Sequence, residues 1–259
     1  MGALQAVVFD WAGTVIDPGS QAPMGAFVRA FASFGVSVTV EEARGPMGMA
    51  KRDHILALLA LPSVAAQAAG LSADDVLAVF EPMTVAAVAD HAALIDGVLP
   101  VVADLRARGM KVGTTTGYTR AIMERVLPLA AAQGFIPDSL VCAGDLPEGR
   151  PAPLMMYRTF LELGVWPAWS VVKVDDTGVG IGEGRNAGCW TVAVALSGNA
   201  FGLTPAEAAA LPVEERARRE AAARDDMRAT GAHYVIDSVA DIGSALDDIE
   251  QRLARGERP

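Results

Sequence analysis

Gln5-Ala6-Val7-Val8-Phe9-Asp10-Trp11-Ala12-Gly13-Thr14 decides the fold. An apolar run without alternation enters an acid and then a glycine-containing turn, as expected of a buried strand that stops where the chain must turn. The device recurs at 109–116, where Met110-Lys111-Val112-Gly113 leads into Thr114-Thr115-Thr116-Gly117. It recurs again at 170–176, where Val171-Val172-Lys173-Val174 ends in Asp175-Asp176. Residues 189–196 and 233–236 read as two further strands. Helical patterns cover 101–108, 119–133, 153–163, 182–187 and 242–253, between and after these strands. Strands alternating with helices predict an α/β fold with a Rossmann-like parallel-sheet core and crossover helices. Ligands of such sheets bind at the carboxyl ends of the strands, where the polar clusters of this chain fall.

Residues 21–98 break the alternation. Apart from a brief alternation at 36–40, they read as successive helices at 23–34, 47–61 and 72–91. The expectation is an inserted helical cap domain at 21–98, with residues 1–20 and 99–259 forming the core domain. Turn residues place its hinges near 17–21 and 95–100. The Ala/Glu/Arg-rich stretch 203–230 reads as one or two surface helices.

A chain of 259 residues that is 52% hydrophobic and 20% charged has the composition of a packed globular protein, which excludes disorder as a description of the whole. The net charge of −10 repels phosphate backbones and anionic lipid, so nucleic acid and membrane are set aside as partners. Two cysteines, Cys142 and Cys189, make neither a disulfide framework nor a metal-type spacing and read as buried small residues. No apolar run approaches the ~20 residues of a spanning helix, and the expected location is the cytoplasm. Only three residues are lysine (Lys51, Lys111, Lys173), so each is considered singly. Lys173, inside a strand-like run, is expected to snorkel at the sheet's edge. Trp11 is expected to pack the turn, and His91 and His233 have no evident partner.

An isolated Asp at a strand end usually caps a helix or a turn. Here three strand ends carry Asp10, Thr116 and Asp175-Asp176, and Arg150 lies in Gly-Asp-Leu-Pro-Glu-Gly-Arg-Pro between the second and third. Carboxylates, a hydroxyl and a guanidinium on one sheet edge are what phosphoryl transfer requires. One carboxylate attacks phosphorus, oxygen ligands hold Mg²⁺, and the hydroxyl and cation hold the phosphoryl oxygens.

In that order, Phe9-Asp10-Trp11-Ala12-Gly13-Thr14, Thr116-Gly117, Arg150-Pro151 and Asp175-Asp176 resemble the four motifs of the haloacid-dehalogenase-like superfamily. Pro46-Met47-Gly48-Met49-Ala50-Lys51-Arg52-Asp53-His54, Thr115-Thr116-Gly117-Tyr118-Thr119-Arg120 and the segment 183–192 (Glu-Gly-Arg-Asn-Ala-Gly-Cys-Trp-Thr-Val) resemble more narrowly its phosphonoacetaldehyde hydrolase (phosphonatase) family. The resemblance implies that Asp10 is the nucleophile that forms an aspartyl-phosphate. It implies that the Asp10 carboxylate, the Ala12 carbonyl and Asp176 hold Mg²⁺, and that Thr116, Gly117 and Arg150 bind the substrate. Lys51 becomes a Schiff-base lysine with His54, Met47 and Tyr118 as its neighbours, the substrate a small phosphonate, and the assembly a homodimer. Many superfamily members have Gly-Asp followed four residues later by another Asp, whereas this chain has Asp175-Asp176 and then Gly180. Asp175 is therefore expected either to bind Mg²⁺ through water or to orient Arg150 or Lys173.

A missing acid and a gained amine support the narrower assignment. Most phosphatases of the superfamily carry an acid two residues after the nucleophile to protonate the leaving oxygen; here that position is Ala12. A phosphonate must instead lose a carbon leaving group that is formally a carbanion, and an imine to lysine accepts that electron pair. Met47, Lys51 and His54 are spaced i, i+4, i+7, which predicts one helix face, with His54 placed to move protons for the lysine. The rival readings are a Mg²⁺-dependent phosphatase or phosphomutase acting on a small phosphate ester, against which Ala12 argues, and a non-catalytic binder of a phosphorylated metabolite.

Overall fold

The computed structural model of the chain describes residues 3–259. Among them six strands form one parallel sheet: β1 (Ala6–Phe9), β2 (Lys111–Thr119), β3 (Ser139–Ala143), β4 (Val171–Asp175), β5 (Trp190–Val194) and β6 (Tyr234–Ile236). Their order is β3-β2-β1-β4-β5-β6. Every residue of β1, β4 and β5 is buried, as expected where helices cover both faces of a parallel sheet. One face packs Phe9, Val112, Val174 and Val192 against flanking helices, and the other packs Val8 and Val171 against Met156 and Leu163. The sequence reading missed β3, a five-residue run that pairs with β2, the strand before it in the chain.

From β1 the chain builds outward through β2 and β3, then returns to place β4 on the other side of β1. This reversal opens a crevice at the carboxyl ends of β1 and β4. Register sets what meets there. Phe9 pairs with Thr114 on one side and with Val174 on the other, and the Asp10 amide donates to the Val174 carbonyl at 2.9 Å. Asp10, Thr115 and Asp175 therefore lie level with one another.

Five helices follow β1: α1 (Gln21–Ala32), α2 (Val40–Arg44), α3 (Lys51–Leu59), α4 (Pro62–Ala65) and α5 (Ala73–Ala87). Capping boxes at Thr39/Glu42 and Ser72/Asp75 start α2 and α5. These helices bury an apolar core of their own, including Phe27, Phe31, Ile55, Leu58 and Phe80. Val36 and Val38 tuck into it without forming a strand, so the alternation at 36–40 marks burial alone. The two connections to the sheet run side by side, with the Ile95 amide on the Val15 carbonyl at 2.8 Å and the Asp17 amide on the Ala93 carbonyl at 3.3 Å.

The remaining helices are α6 (Val98–Ala107), α7 (Arg120–Ala132), α8 (Leu154–Leu163), α9 (Gly178–Asn186), α10 (Pro205–Ala210), α11 (Val213–Ala229) and α12 (Ile242–Ala254). The α9 helix begins four residues earlier than its apolar pattern suggests. Thr177 is its N-cap, its hydroxyl accepting from the Gly180 amide, so the helix opens immediately after Asp175-Asp176. Among the described residues no helix is long and apolar enough to cross a membrane.

Phe27 is stacked between Phe80, with ring centroids 4.2 Å apart, and His54 at 3.9 Å. Phe27→Ala is expected to cost about 3–5 kcal/mol, because the surrounding helices cannot close a cavity of that size. Urea unfolding should show a lower midpoint or a separate early transition; a wild-type curve would rule out a cohesive role for this stack.

Candidate active site

A narrow cavity lies at the carboxyl ends of β1, β2 and β4, roofed by the segment before α3 and by the start of α3. Nine of the ten residues singled out from the sequence line it: Asp10, Ala12, Met47, Lys51, Thr116, Gly117, Tyr118, Arg150 and Asp176. Behind the hinge is a roomier cleft walled by Pro18, Leu94, Phe201, Leu203 and Ala208, but it contains none of them.

His54 is the tenth, and the structure does not bring it to the cavity wall. Its ring is fully buried against Phe27, and its Nε2 meets the Ala43 carbonyl at 2.9 Å, leaving Nδ1 without a partner among the described residues. Burial, then the charge of Lys51, pushes its pKa down to about 3, so the ring is neutral at ordinary pH. The expected helix face also needs correction. Met47 sits in a turn, α3 begins only at Lys51, and Met47 reaches the cavity from outside the helix.

Asp10 follows β1, Asp175 ends β4 and Asp176 follows it, so three carboxylates offer oxygens within 4.8 Å of one another, a buried cluster able to hold a metal ion. Their partners differ. Asp175 accepts at Oδ1 from the Thr177 amide (3.0 Å) and hydroxyl (2.7 Å), while its Oδ2 lies 3.0 Å from Lys173 Nζ and 3.4 Å from Arg150 Nη1. Of its two expected roles, this geometry matches the orientation of Arg150 and Lys173. Asp176 accepts at Oδ2 from the Asn199 amide (2.7 Å) and the Ser20 hydroxyl (3.1 Å), but its buried Oδ1 meets no donor among the described residues. A buried carboxylate oxygen without a donor, beside two further carboxylates, suits a hard divalent cation.

Electrostatics point the same way. Burial and then the charge of Asp175 push the Asp10 carboxyl up to about 6, against the pull of Arg150 and Lys173. Burial, followed by Asp10 and Asp175, holds Asp176 well above the usual carboxylate range. For Asp175 burial works in the same direction, but Arg150 and Lys173 outweigh it and hold its carboxyl low. A cation between Asp10 and Asp176 would offset both the burial and the carboxylate repulsion that raise them.

Lys51 is 4% exposed, with Nζ 5.3 Å from the centre of the Tyr118 ring and 5.7 Å from that of Phe27. Burial lowers its pKa to about 8, partly offset by the negative charge of Asp10. Its place as the first residue of α3, at the positive end of the helix dipole, acts in the same direction as burial. Burial above all, with the nearby Asp17 and Asp10 charges, holds the Tyr118 phenol well above its usual value.

The family model for haloacid dehalogenase-like hydrolases matches residues 4–188. The chain belongs to the haloacid dehalogenase-like hydrolases. A Paraburkholderia phytofirmans protein named phosphonoacetaldehyde hydrolase is 57% identical, with 100% of both chains covered. A Syntrophobacter fumaroxidans protein of the same name is 45% identical, with 100% of this chain and 96% of that one covered. The crystal structure of a phosphonoacetaldehyde hydrolase-like protein from Oleispira antarctica superposes with a TM-score of 0.96 at 41% identity, covering 100% of this chain and 96% of that one.

Within this haloacid dehalogenase-like site, Gly13 and Gly180 show why glycine is required. Gly13 has φ +81°, and a Cβ there would lie 2.1 Å from Asp176 Oδ2, so the turn after Asp10 can approach the Asp176 carboxylate only without a side chain. A Cβ at Gly180 would lie 2.0 Å from the Asp175 carboxylate. Asp175 thus fills the space a side chain at 180 would take, which accounts for the order Asp-Asp…Gly in this chain. Thr115, Lys173 and Glu183 were not among the sequence candidates, yet they pack directly behind Arg150 and Asp175. Lys173 is wholly buried in the middle of the sheet rather than snorkelling at its edge. The available signals were a lysine inside an apolar strand and an acid between Gly182 and Gly184.

Gly180→Asp is expected to destabilise the protein by at least ~2 kcal/mol, because it forces a second carboxylate onto Asp175 in a buried site. Combining it with Asp175→Gly returns one acid to the space and should recover part of the loss. Denaturant midpoints of the two variants test this, and a single variant as stable as wild type would refute the exclusion.

Proposed function

We propose that the chain hydrolyses the carbon–phosphorus bond of phosphonoacetaldehyde, giving acetaldehyde and phosphate. The observation that carries this reading is a buried amine, Lys51, with a pKa of about 8, lining the same cavity as Asp10 while Ala12 takes the place of the usual acid. The names of the full-length relatives support it.

At pH 7 about a tenth of Lys51 is the free amine, enough to attack an aldehyde and lose water to an imine. Asp10 attacks phosphorus, and the carbon–phosphorus pair moves into the protonated imine, so the organic fragment departs as an enamine. Protonation at carbon and hydrolysis of the imine release acetaldehyde and return the Lys51 amine. Water then cleaves the aspartyl-phosphate. Arg150, whose Nη1 holds Asp10 Oδ1 at 2.8 Å, and Thr116 would receive the phosphoryl oxygens, and Arg150 keeps the nucleophile ionised and aimed. Asp10, Asp176 and the Ala12 carbonyl would hold Mg²⁺, which when bound screens the phosphoryl charge from the nucleophile. His54 stacks on the Phe27 ring that Lys51 also approaches, and its neutral ring adds no charge near the amine.

Lys51→Arg keeps the charge but has no amine that deprotonates near neutral pH. Phosphate release from phosphonoacetaldehyde should fall by several orders of magnitude, and covalent labelling by borohydride in the presence of aldehyde should vanish. Activity within a few fold of wild type would end the Schiff-base reading. In the wild type, the rate of aldehyde-dependent labelling should rise with pH and level off above about 8, since the neutral amine is the reactive form. A labelling rate that does not change from pH 6 to 9 would contradict the buried-amine argument.

A further inference from the structure

A fully buried carboxylate that does not line the cavity sits directly behind it. Glu183, on α9, has no exposed surface and approaches Arg150 from the side opposite Asp10. Its Oε2 accepts from Arg150 Nε at 3.1 Å and from the Thr115 hydroxyl at 2.9 Å, and lies 3.5 Å from Lys173 Nζ. The Thr115 hydroxyl in turn accepts from Lys173 Nζ at 2.8 Å and from Arg150 Nη2 at 3.0 Å. All three guanidinium nitrogens are thus engaged: Nε by Glu183, Nη1 by Asp10 and Nη2 by Thr115.

Such a cluster is not a cheap way to hold a fold together. Burying an acid and a lysine costs several kcal/mol per ion, and apolar side chains of similar volume fill such a space at least as well. The helix comes unusually close to the strand to build it, because a Cβ on Gly184 would lie 2.6 Å from Lys173 Cβ. What the cluster supplies is orientation. A guanidinium held only through its Nη atoms can rock about the end of its side chain, whereas a third anchor at Nε fixes its plane.

We infer that Glu183, supported by Lys173 and Thr115, is a positioning residue that fixes the plane of Arg150 so that its Nη groups meet the phosphoryl oxygens as charge builds on them. This rests on the phosphonate-cleaving reading of the site. Loss of Glu183 leaves Arg150 charged and present but less well aimed. The penalty then falls on the transition state more than on substrate binding.

The test uses the full chain with Mg²⁺ and measures phosphate release from phosphonoacetaldehyde for wild type, Glu183→Gln, Arg150→Lys and the double variant. Wild type that releases no phosphate defeats the phosphonate-cleaving function itself, a failure distinct from any difference between the variants. With wild type active, Glu183→Gln should lower kcat by about 10–100-fold and change KM by less than about threefold, the scale of losing a preorganised contact to the transition state. The double variant should be within about twofold of Arg150→Lys alone, since Glu183 acts only through that guanidinium. A kcat within about threefold of wild type, or an equal loss in both backgrounds, overturns the proposal. Borohydride labelling of Lys51 with acetaldehyde, which does not need Arg150, reports whether Glu183→Gln retains a folded site. If labelling is lost, Glu183→Gln with Lys173→Met removes one charge of each sign and becomes the variant measured. A kcat at least tenfold below wild type then supports the role of Glu183, and a wild-type kcat overturns it.

Discussion

The pairing of Phe9 with Val174 is the constraint on which the rest of the molecule depends. Side by side in a parallel register, β1 and β4 must deliver Asp10 and Asp175-Asp176 to the same end of the sheet at the same height. Three carboxylates crowded into a buried crevice repel one another, and the surroundings answer that repulsion in two ways. Arg150 and Lys173 compensate on the side facing the sheet interior, where Asp175 is held ionised. On the cavity side, Asp10 and Asp176 remain raised, and this imbalance is what a divalent cation would correct.

The opposite wall of the cavity follows a different rule. The helices from Gln21 to Ala87 have their own apolar core, and Lys51 emerges from its edge between Phe27 and Tyr118. A lysine on a solvated surface would be almost wholly protonated at pH 7 and a poor nucleophile. Here the same phenyl ring that stacks with Phe80 and His54 also keeps water from the amine. Cohesion of these helices and reactivity of Lys51 therefore depend on the same packing.

The sequence reveals residues whose meaning is local. Strands that end in Asp10, Thr116 and Asp175-Asp176 announce a polar sheet edge, because one such end is an ordinary cap whereas three together with Arg150 are not, and nine of the ten candidate residues do share one cavity. What it hides depends on partners distant in the chain. Lys173 looks like an edge residue until the strand order places β4 beside β1 in mid-sheet. The run at 139–143, longer than the one read as a strand at 233–236, is shown to be a strand only by its pairing with β2. Glu183 lies in a segment that marks the phosphonatase resemblance, yet nothing local says that it faces Arg150. His54 shows the converse error: helical spacing places it near Lys51, but spacing does not distinguish a ring that lines the cavity from one packed behind it.

The two departures from the superfamily pattern share one logic, that of space and charge already taken. At position 180 a side chain is excluded because Asp175 occupies its volume, and from there Asp175 ties Arg150 and Lys173 to the carboxylate cluster. At position 12 the usual acid is replaced by alanine, beside Asp10 and Asp176, where another carboxylate would add to the burial and repulsion that already lift both. A phosphate ester needs that acid, because its leaving oxygen must be protonated as it goes. A carbon leaving group has no such oxygen, and its electron pair needs an acceptor conjugated to it, which a lysine imine provides and a carboxylic acid does not. With the acid absent, the buried Lys51 amine on the opposite wall is the group that would supply such an acceptor in the proposed reaction.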